Sequence, residues 1–329
     1  MRILHCVETY FPRLGGMQEV VKQLSERLVQ FGHEVTVATS FDQGREKMEK
    51  DGVRIIEFKI SGNSVIGIEG DAAQYQQFLL ESNFDVVTFF AAQQWATDLA
   101  LPILNKIKGK KISVPTGFPG LFWPEYKKYF AEMANYMLHF DMHVFLSEDY
   151  KDIHFAKKSG VKNYRIIANG ADEKEFSQPS PIEVRKHLGI PKNKFLILHV
   201  GSFTGFKGHL EAIDLFLRMA KKNATLLMIG NNSEHFRIPR RRPFLWLKFR
   251  LSQIFFSKKI IFKGFSREFT VAAYQQSDLF LFPSNIECSP IVLFECAAAG
   301  LPFLATDAGN AREIAEWTGC GKILPTFID

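Results

Sequence analysis

The stretch Asp278-Leu-Phe-Leu-Phe-Pro-Ser-Asn-Ile-Glu-Cys-Ser-Pro-Ile-Val-Leu-Phe-Glu-Cys-Ala-Ala-Ala-Gly-Leu-Pro302 contains a strand, a loop, a helix and a stop signal in succession. It opens with a short apolar run that is typical of a buried strand. The pair Ser289-Pro290 then suits a helix start, with the serine as N-cap and the proline in the first turn. Gly300 fits the position just past a helix, and Pro302 prevents its continuation. The stretch therefore predicts a helix over Pro290–Ala299, whose free N–H groups attract a phosphate into the preceding loop.

The same alternation of strand and helix continues on both sides of this stretch. Predicted helices over Gln18–Phe31, His209–Ala220 and Phe269–Gln276 separate short apolar runs. The predicted strands are Ile3–Val7, Glu34–Ala38, Val53–Phe58, Val86–Phe90, Lys111–Val114, His143–Leu146, Arg165–Ile167, Phe195–Val200, Leu226–Ile229, Ile260–Phe262, Leu279–Phe282 and Phe303–Ala305. Alternation of this kind indicates parallel sheets with helices on both faces, which is the α/β class.

The length of the chain, 329 residues, favours two domains of about 100–200 residues each. The polar, proline-bearing stretch Asn169–Pro181 is the best candidate for a linker, because the alternation restarts after it. We therefore expect an N-terminal Rossmann-like domain over residues 1–175 and a C-terminal Rossmann-like domain over residues 176–329.

Composition excludes several classes of protein. Apolar residues make up 46% and charged residues 23% of the chain, which argues against disorder. The four cysteines include no CxxC pair, so neither a zinc site nor a disulfide scaffold is indicated, and a reducing compartment fits best. The first residues contain too short an apolar run for a signal peptide, and no run of roughly 18 apolar residues is present to span a membrane. We expect a cytoplasmic protein.

Two carboxylates flank the start of the predicted helix 290–299. Glu287 lies in the loop before it, and Glu295 lies about one and a half turns into it. A carboxylate accepts two hydrogen bonds, which suits a vicinal diol on a ribose or a hexose. The alternative is that Glu295 is a solvated helix residue, although its neighbours in the helix are apolar. Spacing alone leaves these two interpretations open.

A second group of candidate residues lies in the stretch Phe195–His209, where a strand leads through a glycine-rich loop into a helix. Gly205 and Gly208 allow a close approach of the backbone to an anion, and Lys207 supplies positive charge. The loop is not a P-loop, because Lys207 is followed by glycine rather than by serine or threonine. Gly15-Gly16, after the first strand, is a third glycine-rich edge, for which a simple turn is an equally good interpretation.

Taken together, the motifs resemble the retaining glycosyltransferase family 4, the glycosyl transferases group 1. The matching pieces are Tyr10-Phe-Pro-Arg-Leu-Gly-Gly16, Gly32-His-Glu-Val-Thr-Val37, Asn169-Gly-Ala-Asp172 with Phe176, Lys207-Gly208, Asp278-Leu-Phe-Leu-Phe-Pro-Ser284, Glu287 and Glu295 with seven residues between them, Ala299-Gly-Leu-Pro302 and Gly309-Asn310. They follow the order of the family over nearly the whole chain. Each piece alone is weak, but the combination is specific.

The resemblance implies the GT-B fold, in which two Rossmann-like domains face a central cleft, here with a shortened C-terminal end because the chain stops at Asp329. It implies transfer of a sugar, with retention, from a nucleotide-sugar bound by the C-terminal domain to a glycan or lipid-linked acceptor bound by the N-terminal domain. The expected setting is cell-envelope or extracellular polysaccharide synthesis, such as that of lipopolysaccharide. Neither a metal nor a cofactor is expected, because the nucleotide-sugar is a co-substrate and a lysine with helix dipoles takes the place of a cation.

The resemblance also assigns roles to residues. Lys207 and Glu287 are the catalytic candidates: Lys207 binds the diphosphate of the donor, and Glu287 contacts sugar hydroxyls. Glu295 holds the ribose. The other donor-binding candidates are the N–H groups of Ile291 and Val292 for the phosphates or sugar, Gly264-Phe265 for the base, Gly15-Gly16 for the phosphates or the acceptor, and Ser202, where many relatives carry an arginine.

Two further expectations concern partners. The alternative function is a non-catalytic GT-B relative that binds a nucleotide-sugar or a partner transferase, favoured by Ser202 and by the absence of histidine from Pro115–Phe118. The segment 237–263 contains nine Lys and Arg residues and no acid. It suits either an interfacial helix on an anionic membrane or a helix that simply covers the sheet. Nucleic-acid binding is not expected, because no recognition motif accompanies the basic run.

Overall fold

A computed structural model of the chain describes residues 1–13, 15–203, 205–221, 223–231, 247, 258–264 and 266–325. The chain forms two compact units, Met1–Ala168 and Asn169–Asp329. The boundary expected between residues 175 and 176 falls inside the helix Glu173–Ser177, where Phe176 packs in the core of the second unit.

The first unit is built on an eight-stranded sheet with the order β10-β9-β8-β7-β1-β2-β4-β3. Its strands, together with the hairpin β5–β6, are β1 (Arg2–Cys6), β2 (Glu34–Ser40), β3 (Glu49–Lys50), β4 (Val53–Phe58), β5 (Ile60–Asn63), β6 (Gly67–Gly70), β7 (Val86–Phe90), β8 (Lys110–Val114), β9 (Met142–Phe145) and β10 (Tyr164–Ile166). The pairs are parallel except β3–β4 and the separate hairpin. The helices are α1 (Gly16–Gln30), α2 (Ala72–Glu81), α3 (Trp95–Asp98), α4 (Lys127–Tyr136) and α5 (Lys151–Lys158).

Aromatic side chains fill the core of this unit. Tyr75 and Trp95 are fully buried and meet edge to face, with ring centroids 4.9 Å apart. Their polar atoms are satisfied, because Tyr75 Oη donates to Ala96 O at 2.7 Å and Trp95 Nε1 donates to Ser40 Oγ at 2.9 Å. Buried aromatic residues of this kind supply apolar area without leaving a polar group unpaired.

The second unit is built on a six-stranded parallel sheet with the order β13-β12-β11-β14-β15-β16. Its elements are α6 (Glu173–Ser177), α7 (Val184–His187), β11 (Phe195–Val200), α8 (His209–Arg218), β12 (Ala224–Ile229), β13 (Lys259–Lys263), α9 (Arg267–Gln276), β14 (Leu279–Phe282), α10 (Ile291–Ala299), β15 (Phe303–Ala305), α11 (Ala311–Thr318) and β16 (Gly321–Ile323). The predicted α/β class is confirmed in both units.

The strand order locates the ligand-binding edge of each sheet. In the second unit β11 lies beside β14, and in the first unit β1 lies beside β7. In each pair the two strands are followed by strands on opposite sides: β12 and β15 in the second unit, and β2 and β8 in the first. Open α/β sheets bind ligands outside the carboxyl ends of the strands at such a switch point.

The start of α10 differs from the sequence prediction. Pro290, rather than Ser289, occupies the N-cap position, because its ψ of 106° is extended and the helix begins at Ile291. The other end is as predicted, since Gly300 adopts a left-handed conformation and its N–H bonds back to the last turn. Among the helices that the structure describes, no helix has both the length and the apolar character needed to cross a bilayer.

Buried histidines make both units sensitive to acid. Burial lowers the pKa of His5 to about 4 in the first unit, and burial with the charge of His209 lowers the pKa of His199 to about 3 in the second. An unfolded histidine has a pKa near 6.5, so below that pH protons bind the unfolded chain preferentially. Stability is therefore lost as pH falls from about 6.5 toward 4, by roughly 1.4 kcal/mol per pH unit for each histidine.

We expect thermal unfolding to shift to lower temperature between pH 7.5 and pH 5, in a scan monitored by circular dichroism. His5→Asn should lower stability at pH 7.5 but flatten the pH dependence of the first unit. The raised pKa values of Asp98 and Asp152, both caused by burial, act in the opposite direction in more acidic solution. An equal pH dependence in the wild type and in His5→Asn would contradict the assignment.

Candidate active site

An ion pair joins the loops that follow β11 and β14. Lys207 Nζ donates to both carboxylate oxygens of Glu287, at 2.8 and 2.9 Å, and Ser284 Oγ donates to Glu287 Oε1 at 2.7 Å. The Lys207 side chain is 31% exposed, whereas that of Glu287 is 8% exposed. The ammonium group of Lys207 is therefore partly open to solvent, while the carboxylate that it contacts is buried. Both lie at the switch point of the sheet.

Gly208 allows the two loops to approach each other. It adopts a left-handed conformation with φ of 70° at the N-cap of α8, and a Cβ there would collide with the carbonyl oxygen of Pro283. Asn285 N also donates to Phe206 O across the loops at 3.0 Å. The position of Lys207 therefore depends on a glycine directly after it.

Gly208→Ala should destabilise the protein more than Gly205→Ala. Both glycines have positive φ, but a Cβ at Gly205 meets nothing within 4 Å. The left-handed conformation alone costs an alanine about 1–2 kcal/mol, and the added collision should cost Gly208→Ala about 1–3 kcal/mol more. Urea unfolding of the two variants measures the difference. Equal losses would show that the close approach to Pro283 is not needed.

The Glu295 side chain lies on the buried face of α10 and not on a face exposed to solvent. Its side chain is 4% exposed, and Oε1 accepts a hydrogen bond from Arg267 Nη1 at 2.5 Å. Arg267 also donates from Nε and Nη2 to the two oxygens of Glu175, at 2.8 and 2.7 Å. The alternative of a solvated Glu295 is therefore wrong. Arg267 and Glu175 are not among the predicted site residues, because neither lies in a local motif.

The other predicted donor residues of the second unit lie at the same edge of the sheet. Ile291 and Val292 are the first two residues of α10 and are half-buried. Ser202 follows β11 by two residues, and Gly264 directly follows β13. Asn169 Nδ2 donates to Ser289 O at 2.9 Å, which ties the first residue of this unit to the loop before α10. Phe265 lies outside the described residues.

Gly15 and Gly16 belong to the first unit, where they begin α1 after β1. Gly15 has an extended backbone at the N-cap, and a Cβ there would meet the Gln18 side chain. Neighbouring loops at the carboxyl edge contain left-handed residues that are not glycine: Ala91 and Gln93 after β7, and Thr116 and Phe118 after β8. Strained backbone of this kind concentrates at functional sites.

The aromatic side chains of the stretch 118–130 divide between the core and the surface of the first unit. Phe118, Tyr126, Tyr129 and Phe130 lie in the core of the first unit. Phe122 and Trp123 are exposed, at 79% and 46%. Trp95 is also buried in the core.

Two acidic residues at this edge were not identified from the sequence. Asp98 accepts hydrogen bonds from Tyr129 Oη at 2.8 Å and from Ser64 N at 2.9 Å. Burial raises the pKa of Asp98, and burial together with the charge of Asp98 raises the pKa of Glu8. Within the described residues, no group of three or more His, Cys, Asp or Glu side chains is placed to hold a metal ion.

The comparisons with known proteins agree with this architecture. The family model described as Glycosyltransferase Family 4 matches residues 14–175, and that described as Glycosyl transferases group 1 matches residues 182–327. The chain is similar to the lipopolysaccharide glucosyltransferase WaaG of Escherichia coli K12, with 26% identity over 98% of this chain and 85% of that protein. It is also similar to the N-acetyl-alpha-D-glucosaminyl L-malate synthase of Bacillus anthracis, with 20% identity over 96% of this chain and 82% of that protein.

Among solved structures, the fold is similar to that of Anabaena HepE in complex with UDP-glucose. The TM-score is 0.69 at 16% identity, over 95% of this chain and 82% of that one. Two Rossmann-like units with this sheet topology and these relatives define a glycosyltransferase of the GT-B fold. The two family matches together extend over most of the sequence, and the chain belongs to glycosyltransferase family 4, the glycosyl transferases group 1.

Proposed function

We propose that the protein transfers a sugar, with retention, from a nucleotide-sugar to a glycan or lipid-linked acceptor in cell-envelope or extracellular polysaccharide synthesis. The observation that carries the proposal is the Lys207–Glu287 pair at the switch point of the second sheet. The second unit is the donor domain and the first unit the acceptor domain in this proposal. UDP-glucose is the first donor to test, because HepE was solved with it, and WaaG supports lipopolysaccharide as the setting.

The Lys207–Glu287 pair has the chemistry that a donor diphosphate and sugar require. The diphosphate draws the partly exposed Lys207 ammonium toward itself, where it offsets the charge that develops on the leaving group. The carboxylate of Glu287 then accepts hydrogen bonds from sugar hydroxyls in place of the ammonium. The first N–H groups of α10 add a partial positive charge for the phosphates.

The proposal requires neither an enzyme nucleophile nor a metal. In a front-face reaction the acceptor oxygen forms a bond to the anomeric carbon on the side from which the diphosphate leaves. The bond from that carbon to the diphosphate breaks, and the leaving phosphate oxygen takes the acceptor proton. The protein supplies position and charge, which account for most of the catalytic effect in such sites.

Lys207→Ala should lower kcat by about 10²–10³-fold, the usual cost of one charge-stabilising donor. Ser202→Ala should cost less, because a hydroxyl offers no charge. Release of the nucleoside diphosphate from a panel of nucleotide-sugars, starting with UDP-glucose, measures both. Lys186→Ala, at an exposed lysine in α7, is the control and should leave turnover unchanged. Unchanged turnover in Lys207→Ala would refute the site.

Peripheral association with a membrane through the segment 237–263 is the second part of the proposal. Most of this segment lies outside the described residues. Among its basic residues, Lys258 has a structural role at the end of α8. Its Nζ donates to the backbone oxygens of Phe216, Leu217 and Met219, at 2.8, 3.0 and 2.7 Å. The support for membrane binding is therefore the sequence itself, with Arg240–Arg242 beside the apolar run that follows.

Co-sedimentation with anionic and neutral vesicles tests this part. We expect binding to anionic vesicles that is lost at high salt and that weakens by about 1 kcal/mol per arginine when Arg240, Arg241 and Arg242 are changed to Ser. A variant with Lys157, Lys158 and Lys162 changed to Ser removes the same charge elsewhere and should still bind. Equal binding by the wild type and by the triple arginine variant would leave the sheet-covering interpretation.

A further inference from the structure

Arg267, the first residue of α9, joins carboxylates from two different helices. Its contacts with Glu175 form a fork, with Nε and Nη2 each donating to a separate oxygen, and Nη1 points to Glu295 Oε1. A guanidinium is planar, so a two-bond contact on one side fixes the direction of the remaining N–H groups. Glu175 therefore determines the direction from which Arg267 meets Glu295.

Arg267 gives the buried carboxylate of Glu295 a cationic partner. The Glu295 side chain is 4% exposed, and burying a charged group is costly unless the group is paired and hydrogen-bonded. Burial by itself lowers the pKa of Arg267, but the hydrogen bonds and charges of Glu175 and Glu295 raise it above its ordinary value. One permanent cation thus faces two carboxylates, which leaves the group with a net negative charge.

Glu295 has hydrogen-bonding positions besides the one that Arg267 uses, although the buried Tyr274 also interacts with its carboxylate. Two carboxylate oxygens offer about four lone-pair positions, and Arg267 occupies one position on Oε1. The segment that contains Glu175 also reaches the other end of the site, since Asn169 donates to Ser289 O just before α10. The segment 169–175 is therefore linked to the loop before α10 through Asn169, and to α10 itself through Glu175 and Arg267.

We propose that Arg267, held by Glu175, is a positioning residue that orients the Glu295 carboxylate for the ribose diol of the donor nucleotide. The inference rests on the proposed function, because it requires a nucleotide at this edge of the sheet. Arg267 acts through Glu295 and does not itself touch the nucleotide. The expected signature is a loss of affinity that depends on the ribose hydroxyls.

Calorimetry on the full chain with UDP, ADP and GDP identifies the nucleotide that binds most tightly, which is then compared with its 2′,3′-dideoxy form. In the wild type the dideoxy form should bind at least about tenfold more weakly, because a charged hydrogen-bond acceptor loses its donors. Arg267→Met should lower the affinity for the ribonucleotide to that for the dideoxy form. The affinity for the dideoxy form should stay unchanged. Arg267→Lys keeps the charge but not the fork, and should restore part of the difference.

A matched control is Arg185→Met. Arg185 pairs with Asp278 at 2.9 Å near the amino ends of β11 and β14, so its loss removes a similar ion pair far from the carboxyl edge. It should leave the ratio of the two affinities unchanged. Glu175→Gln tests the same anchor if Arg267→Met fails to fold, and it should reduce the ratio while Arg267 remains in place.

The outcomes distinguish failure of the positioning role from failure of the proposed function. The positioning role would be overturned, and the donor site would stand, if Arg267→Lys and Glu175→Gln both left the ratio of the two affinities as in the wild type. This holds whether or not the two affinities fall together. A wild type that binds the ribonucleotide and its dideoxy form equally would also overturn it. Binding of none of the three nucleotides to the wild type would overturn the proposed function together with this inference.

Discussion

The pairing of β11 with β14 determines where the second unit can do chemistry. Ile197 lies opposite Leu279 and Leu198 opposite Phe280, although the two strands are far apart in the sequence. From β11 the chain continues through α8 to β12 on one side, and from β14 through α10 to β15 on the other. The loops that leave the two strands therefore diverge and leave a crevice between them. Lys207 and Glu287 meet in that crevice because the strands beneath them are neighbours.

Charge balance constrains what this edge can bind. Lys207 pairs with Glu287, and Arg267 pairs with Glu175 and Glu295, through contacts of 2.5–2.9 Å, and the five groups together have a net charge of −1. A diphosphate brings further negative charge, so these five groups alone do not attract it. In the proposed donor site we therefore expect the N-terminus of α10 to contribute, because its N–H groups carry partial positive charge without adding a carboxylate. The proposed diphosphate site thus includes the start of α10 as well as Lys207.

The elements of the fold follow from the sequence more closely than the contacts of the site do. Buried parallel strands such as β11 and β14 are continuous apolar runs, and their predicted bounds, Phe195–Val200 and Leu279–Phe282, agree with the structure. The two-residue strand β3 and the hairpin β5–β6 were not predicted, because such short segments have no periodic pattern.

Contacts between distant side chains are harder to foresee. Glu175 and Arg267 are 92 residues apart, and no local spacing indicates that α6 lies beside the start of α9. The same limit applies to Glu295, whose apolar neighbours in α10 indicated burial but not its cationic partner. Serine propensity favoured Ser289 as the N-cap, whereas the extended backbone of Pro290 in the structure ended the loop one residue later.

In the first unit, two loops that contain left-handed residues are held by hydrogen bonds to buried side chains. Gln93 has a left-handed backbone, and its N–H donates to Tyr129 Oη, which in turn donates to the buried carboxylate of Asp98. The loop after β8 has the same design, because Gly117 N donates to buried Asp152 between the left-handed residues Thr116 and Phe118. Each strained residue costs of order 1–3 kcal/mol, which the hydrogen bonds to buried carboxylates offset. A ligand that binds at this edge therefore meets a surface that is already formed, so little of its binding energy is used to order the loops.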